Sequence, residues 1–176
     1  MEIPAIDMHV IIWVNQHRSA VLNVFFTTVT WAGSLFLLFP LTVILAGYLL
    51  AYEKKEEVLL LGLGFGGAVM LTYVLKTIIK RPRPDLLEPL IAMPADFSFP
   101  SAHTAQITAF CLCLLLIVGR DRLLWVSLLG LASVTLIGCV AYSRVYLQVH
   151  FASDVIAGIL LPIIWMVAIA FMLHRS

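Results

Sequence analysis

Residues 123–173 read LLWVSLLGLASVTLIGCVAYSRVYLQVHFASDVIAGILLPIIWMVAIAFML. Two apolar runs, 123–142 and 151–173, flank a short polar stretch, and a helix needs about 20 such residues to cross the hydrocarbon core. Ser143 and Arg144 close the first run; His150 and Asp154 open the second. Ionisable groups beside a membrane span are costly, so their default reading is functional. This stretch therefore predicts an all-α integral membrane fold and a polar site where two helices meet.

The rest of the chain extends the pattern. Of 176 residues, 62% are hydrophobic and 12% charged, with a mean hydropathy of +1.04, more apolar surface than a soluble domain of this size can cover. Further apolar runs lie near 33–52, 58–76 and 102–119, and a shorter one at 20–32 precedes Gly33 and Ser34. The short run reads as a sixth span, joined to the next by a tight turn. Residues 3–16 set Ile3, Ile6, Val10 and Trp13 among polar neighbours, the spacing of an amphipathic helix lying in the interface with Trp13 as anchor. The expected architecture is a helical bundle of six transmembrane helices plus an N-terminal interfacial helix, forming a single domain over 1–176. Glu2 and Asp7 stand where a signal peptide would carry basic residues, so the N terminus is expected to stay on the protein. Cys111, Cys113 and Cys139 lie inside apolar runs and read as small buried residues. A net charge of +1 without a basic stripe gives no reason to expect a nucleic-acid partner.

One connection is long. Residues 77–101 hold Pro82, Pro84, Pro89, Pro94 and Pro100, a density that excludes regular helix and makes a stiff, shaped loop. It follows the third expected span, and the 143–150 segment follows the fifth, so both polar clusters share one membrane face. Counting the first span or omitting it moves both loops together. Six spans put Arg18, Lys54, Lys55, Arg120, Arg122 and Arg175 on one face, and Lys76, Lys80, Arg81, Arg83 and Arg144 on the other. With Lys76, Arg83 and Arg144 set aside as site residues, the first face is the more basic and so cytoplasmic. The site then faces outward from a plasma or inner membrane.

Lys76, Arg83 and Arg144 supply three cations from two loops, as a phosphoryl group requires. Ser101 adds a hydroxyl, and the 100–103 segment opens a span whose first N–H groups are free to meet an anion. Lys76 and Arg83 as interfacial anchors, and Ser101 as a helix cap, are the bland alternatives. His150 and Asp154, four apart, share one face of a helix; the carboxylate would fix one ring nitrogen and leave the other ready to attack. His103 is then the natural general acid for the leaving oxygen. Asp85, Glu88 and Asp96 are too scattered for a two-metal site, and no Gly-rich Lys-Ser/Thr loop is present. A metal-independent phosphohistidine route, without a cofactor, remains.

Lys76, six residues, Arg83–Pro84; Pro100–Ser101–Ala102–His103; Ser143–Arg144, five residues, His150, three residues, Asp154: this order and spacing resembles the three-part signature of the type 2 phosphatidic acid phosphatase superfamily, which includes vanadium haloperoxidases. The family's second block usually has Gly where Ala102 stands; Ala keeps the backbone N–H. The resemblance implies that His150 attacks phosphorus, that Asp154 orients it and that His103 protonates the leaving group. It implies that Lys76, Arg83, Ser101, the Ala102 amide and Arg144 hold the phosphoryl oxygens. It also implies a membrane lipid phosphate as substrate, leaving phosphatidylglycerophosphate, phosphatidate and undecaprenyl diphosphate open. Two other classes use similar parts. An anion transporter would need paired half-helices or repeats, which are not evident. A vanadate-dependent oxidant enzyme of the known kind is soluble, which six apolar runs oppose.

Overall fold

The computed structural model describes residues 3–119 and 123–173. Among them every regular element is helical: α1 (Ala5–Gln16), α2 (Ala20–Val29), α3 (Leu35–Ala51), α4 (Lys55–Leu61), α5 (Gly67–Ile79), α6 (Ala102–Val118), α7 (Leu123–Tyr146) and α8 (Ala152–Leu173). α4 and α5 form one helix, Lys55–Ile79, through a π turn at Gly62–Gly66. The Trp165 indole donates to the Leu63 carbonyl in that turn at 2.9 Å. Lys55–Ile79, Leu123–Tyr146 and Ala152–Met172 are long and apolar enough to cross a membrane. Their outward faces, with Leu128, Leu131 and Val134 on α7 and Leu160, Ile164 and Val167 on α8, are exposed and apolar, as a lipid environment allows.

The start of the chain differs from expectation. Instead of a tight turn between two antiparallel spans, Ala20–Gly33 and Leu35–Ala51 meet at a bend of 42°, and together they are long and apolar enough to cross a membrane as one broken helix. A 3-10 turn, Thr30–Gly33, and the Ser34 hydroxyl accepting from Phe36 N–H at 3.2 Å make the joint. Glycine is required there: a Cβ on Gly33 would come within 2.7 Å of the His103 carbonyl. Arg18 lies beside the loops that build the site rather than opposite them. Its guanidinium donates to the Tyr146 carbonyl at 2.9 Å and lies 3.4 Å from the Glu88 carbonyl. α1 is on the same side. Asp7, Ile11 and Val14, spaced along one stripe, are buried, and the two apolar residues pack with Val145, Tyr146 and Phe151. Trp13 is exposed.

α6, the 17-residue helix at the centre, carries the packing that matters for the site. α8 closes onto its first turn because Gly158 has no side chain; a Cβ there would lie 2.8 Å from the Ser101 carbonyl. The ends of α5, α7 and the starts of α6, α8 thus converge, and both polar clusters meet as the loop order required. Arg120, Arg122 and Arg175, used in the charge count, lie outside the described residues.

Candidate active site

α7 ends at Tyr146, and the next five residues fold back on its last turn. Leu147 N–H donates to Ser143 O at 2.8 Å, and Val149 and His150 N–H both donate to Arg144 O. This capping turn ties His150 to Arg144. His150 therefore lies before α8, not on it, and its pairing with Asp154 is made by the turn rather than by one helix face. Asp154 is the third residue of α8, and its Oδ2 reaches back to the Phe151 N–H at 2.9 Å, as in a capping box. The same oxygen stands 3.4 Å from His150 Nδ1 and accepts from the Ser98 hydroxyl. Its other oxygen accepts from Arg81 at 2.5 Å.

On the other ring nitrogen, His150 Nε2 is 3.1 Å from Arg83 Nη1. With Nδ1 protonated toward Asp154, Nε2 carries the lone pair and points at a cation. The ring is buried, and burial pushes its pKa down to about 3 against the help of Asp154. The imidazole is neutral at physiological pH.

Arg83, Asp96, Ala102, His103, Arg144 and His150 line one cavity of about 360 Å³, with Tyr73, Pro94 and Ala95 at its mouth. Of the eight residues expected in the site, five line this cavity. Asp154 lies behind His150. Lys76 reaches it through Asp96, its Nζ 3.1 Å from the carboxylate, and also donates to the Phe97 carbonyl. Ser101 is fully buried beside it; its hydroxyl accepts from Thr104 at 3.0 Å and its N–H donates to the Asp154 carbonyl. Arg83 is held by Val149 O at 2.6 Å and by Asp96 through both backbone and side chain. Arg144 donates to Thr30 Oγ1 at 2.7 Å, while its buried Nε has no acceptor. A buried guanidinium N–H without a partner, beside three other donors, suits an incoming oxyanion.

Four participants were not singled out in the sequence. Arg81, counted above as a topology charge, is 6% exposed and bridges Asp7 and Asp154, with Nη2 at 2.8 Å from Asp7. Its guanidinium lies over the Phe151 ring at 4.4 Å. Asp7 also accepts from Ser153 N–H at 2.9 Å and from the Ser153 hydroxyl. A carboxylate in an apolar helical run was the available signal for Asp7, and Arg-Pro-Arg-Pro the signal for Arg81. Ser98 and Asp96 carried none: only the path of the loop, pinned by Ser98 N–H to Arg81 O at 2.8 Å, brings them in. Burial raises the Asp96 pKa, but Lys76 and Arg83 outweigh it and hold the carboxyl below its usual range.

Comparison with known proteins adds four findings. The sequence profile of the PAP2 superfamily matches residues 57–176. The chain is 35% identical over 148 residues to phosphatidylglycerophosphatase B of Bacillus subtilis, covering 80% of this chain and 70% of that protein. It is 31% identical over 156 residues to the undecaprenyl-diphosphatase of Sulfolobus acidocaldarius, covering 84% and 69%. The crystal structure of a transmembrane PAP2 type phosphatidylglycerolphosphate phosphatase from Bacillus subtilis superposes with a TM-score of 0.83 at 29% identity, over 96% of this chain and 85% of that one.

Proposed function

The chain belongs to the PAP2 superfamily, whose lipid phosphatase members make it a phosphoric ester hydrolase, and on that premise we propose a metal-independent, two-step hydrolysis of a lipid phosphate through phosphohistidine. The observation that carries this is the buried, neutral His150, with Nδ1 facing Asp154 and Nε2 facing the cation-lined cavity. In the first step Nε2 attacks phosphorus, a P–N bond forms and the P–O bond to the lipid breaks. His103, on the same cavity wall, gives its proton to the departing oxygen. Positive charge on His150 is balanced by Asp154. Lys76, Arg83, Arg144, the Ser101 hydroxyl and the Ala102 N–H hold the three phosphoryl oxygens. In the second step His103 takes a proton from water, which attacks phosphorus and frees His150. Phosphatidylglycerophosphate, phosphatidate and undecaprenyl diphosphate are the candidate substrates, their tails remaining in the bilayer.

The bend at Gly33 supports a reading with five crossings in place of six: α2 with α3, α4 with α5, the shorter α6, α7 and α8. α1 then lies on the site's side at the interface. Moving Arg18 to that side, and removing the ion-paired Arg81 from the count, leaves Arg18 and Lys80 there against Lys54, Lys55, Arg120, Arg122 and Arg175. The balance supports an outward-facing site in a plasma or inner membrane. Phosphate release from each candidate lipid by purified protein in detergent with excess chelator tests the activity. Release from at least one is the expected result; no release from any of them contradicts the proposal.

A further inference from the structure

Two of the three cradle cations hold a carboxylate of this chain. Asp96 Oδ1 accepts from Arg83 Nη2 at 2.5 Å, and Oδ2 lies 3.1 Å from Lys76 Nζ. These are the donors that a phosphoryl group would need. The two cations are buried, with side chains only 2% and 8% exposed, whereas the Asp96 side chain is 41% exposed. Of the three groups, the carboxylate is the one with room to turn out into water.

We infer that Asp96 is the resident anion of the phosphoryl cradle, and that substrate binds by displacing its carboxylate from Lys76 and Arg83. This rests on the cradle reading above. Two buried cations with no counter-charge would be expensive to keep in the folded protein. Asp96 supplies the counter-charge between turnovers. A phosphoryl dianion wins the exchange because it carries more charge and three oxygens, and so also reaches the unpartnered Nε of Arg144. Asp96 therefore weakens ground-state binding and sets how tightly the site holds phosphate-like ligands, product phosphate included. The opposite role is also physically possible: a structural strut that holds Lys76 and Arg83 in place. The two roles predict opposite signs when the charge is removed.

The test is inhibition by orthovanadate, in mixed micelles without chelator, of hydrolysis of the candidate lipid phosphate that the protein cleaves, for the wild-type protein and for D96N, D96A and D96E. Displacement predicts that the inhibition constant falls about tenfold in D96N and further in D96A, the scale of one charge-assisted contact, while D96E stays near wild type. KM for that lipid moves in the same direction. An inhibition constant that rises or stays unchanged in D96N and D96A, with vanadate still inhibiting the wild type, overturns the inference and leaves the cradle intact. Vanadate failing to inhibit any of the four proteins overturns the cradle, and the inference with it.

Discussion

At the residue scale the proposed chemistry depends on His150. Removing its imidazole in H150A should lower kcat by about 10⁴-fold or more, because the covalent intermediate of the proposed route forms on its Nε2. Replacing His103 with Asn should cost about 10²- to 10³-fold, the usual worth of a general acid. That loss should shrink for a lipid analogue with a more acidic leaving group, which needs no proton. Both are read from phosphate release, with detergent-phase elution checking that the variants stay folded. A pH effect follows from burial. The folded pKa of His150 is about 3 against an ordinary 6.5, so the unfolded chain binds the extra proton between these values. Its contribution to stability is complete above pH 6.5 and is lost as pH falls toward 3. Unfolding measured across that window should be less pH-dependent in H150Q than in the wild type. Lys76, Arg83, His103, Arg144, His150 and Asp154 stood out as candidates because charge and histidine are rare in this chain, and Ser101 and Ala102 followed from their place beside His103 at the start of a span. Ser98 and Asp96 did not, since serine and aspartate are unremarkable in a proline-rich loop and only its fold aims them.

At the element scale, two joints position the chemistry. One is the contact of α8 with the first turn of α6 at Gly158. G158A places a methyl 2.8 Å from a backbone carbonyl, which cannot rotate away, so a loss of about 1–3 kcal/mol is expected together with reduced kcat. Ala at Gly138, where a Cβ would meet nothing within 4 Å, is the matched control and should leave activity unchanged. The other joint is the buried Asp7–Arg81–Asp154 bridge, which fastens α1 to the start of α8. R81M leaves two buried carboxylates facing each other and should cost about 3–5 kcal/mol, with R81K recovering part of it. The apolar runs forecast where these helices lie. The bend at Gly33 was hidden because Gly and Ser mark either a reversal or a kink, and the choice between them is made by α6 packing against Gly33.

At the scale of the whole molecule, the loop order alone placed both polar clusters on one face, and the structure brings them into one cavity. The count of crossings was less legible, because it depends on the bend. The five crossings proposed above would leave Lys80 and Arg18 outside and Lys54 inside. In intact cells, a membrane-impermeant maleimide should therefore label K80C and spare K54C. The reverse pattern would invert the orientation.

In the proposed route phosphorus is attacked twice, first by His150 and then by water. Each in-line attack inverts the configuration at phosphorus. Hydrolysis of a lipid phosphomonoester made chiral with oxygen isotopes and sulfur, in water of a third isotope, should give inorganic thiophosphate with net retention. Net inversion would mean that water attacks the lipid directly, and would contradict the role assigned to His150.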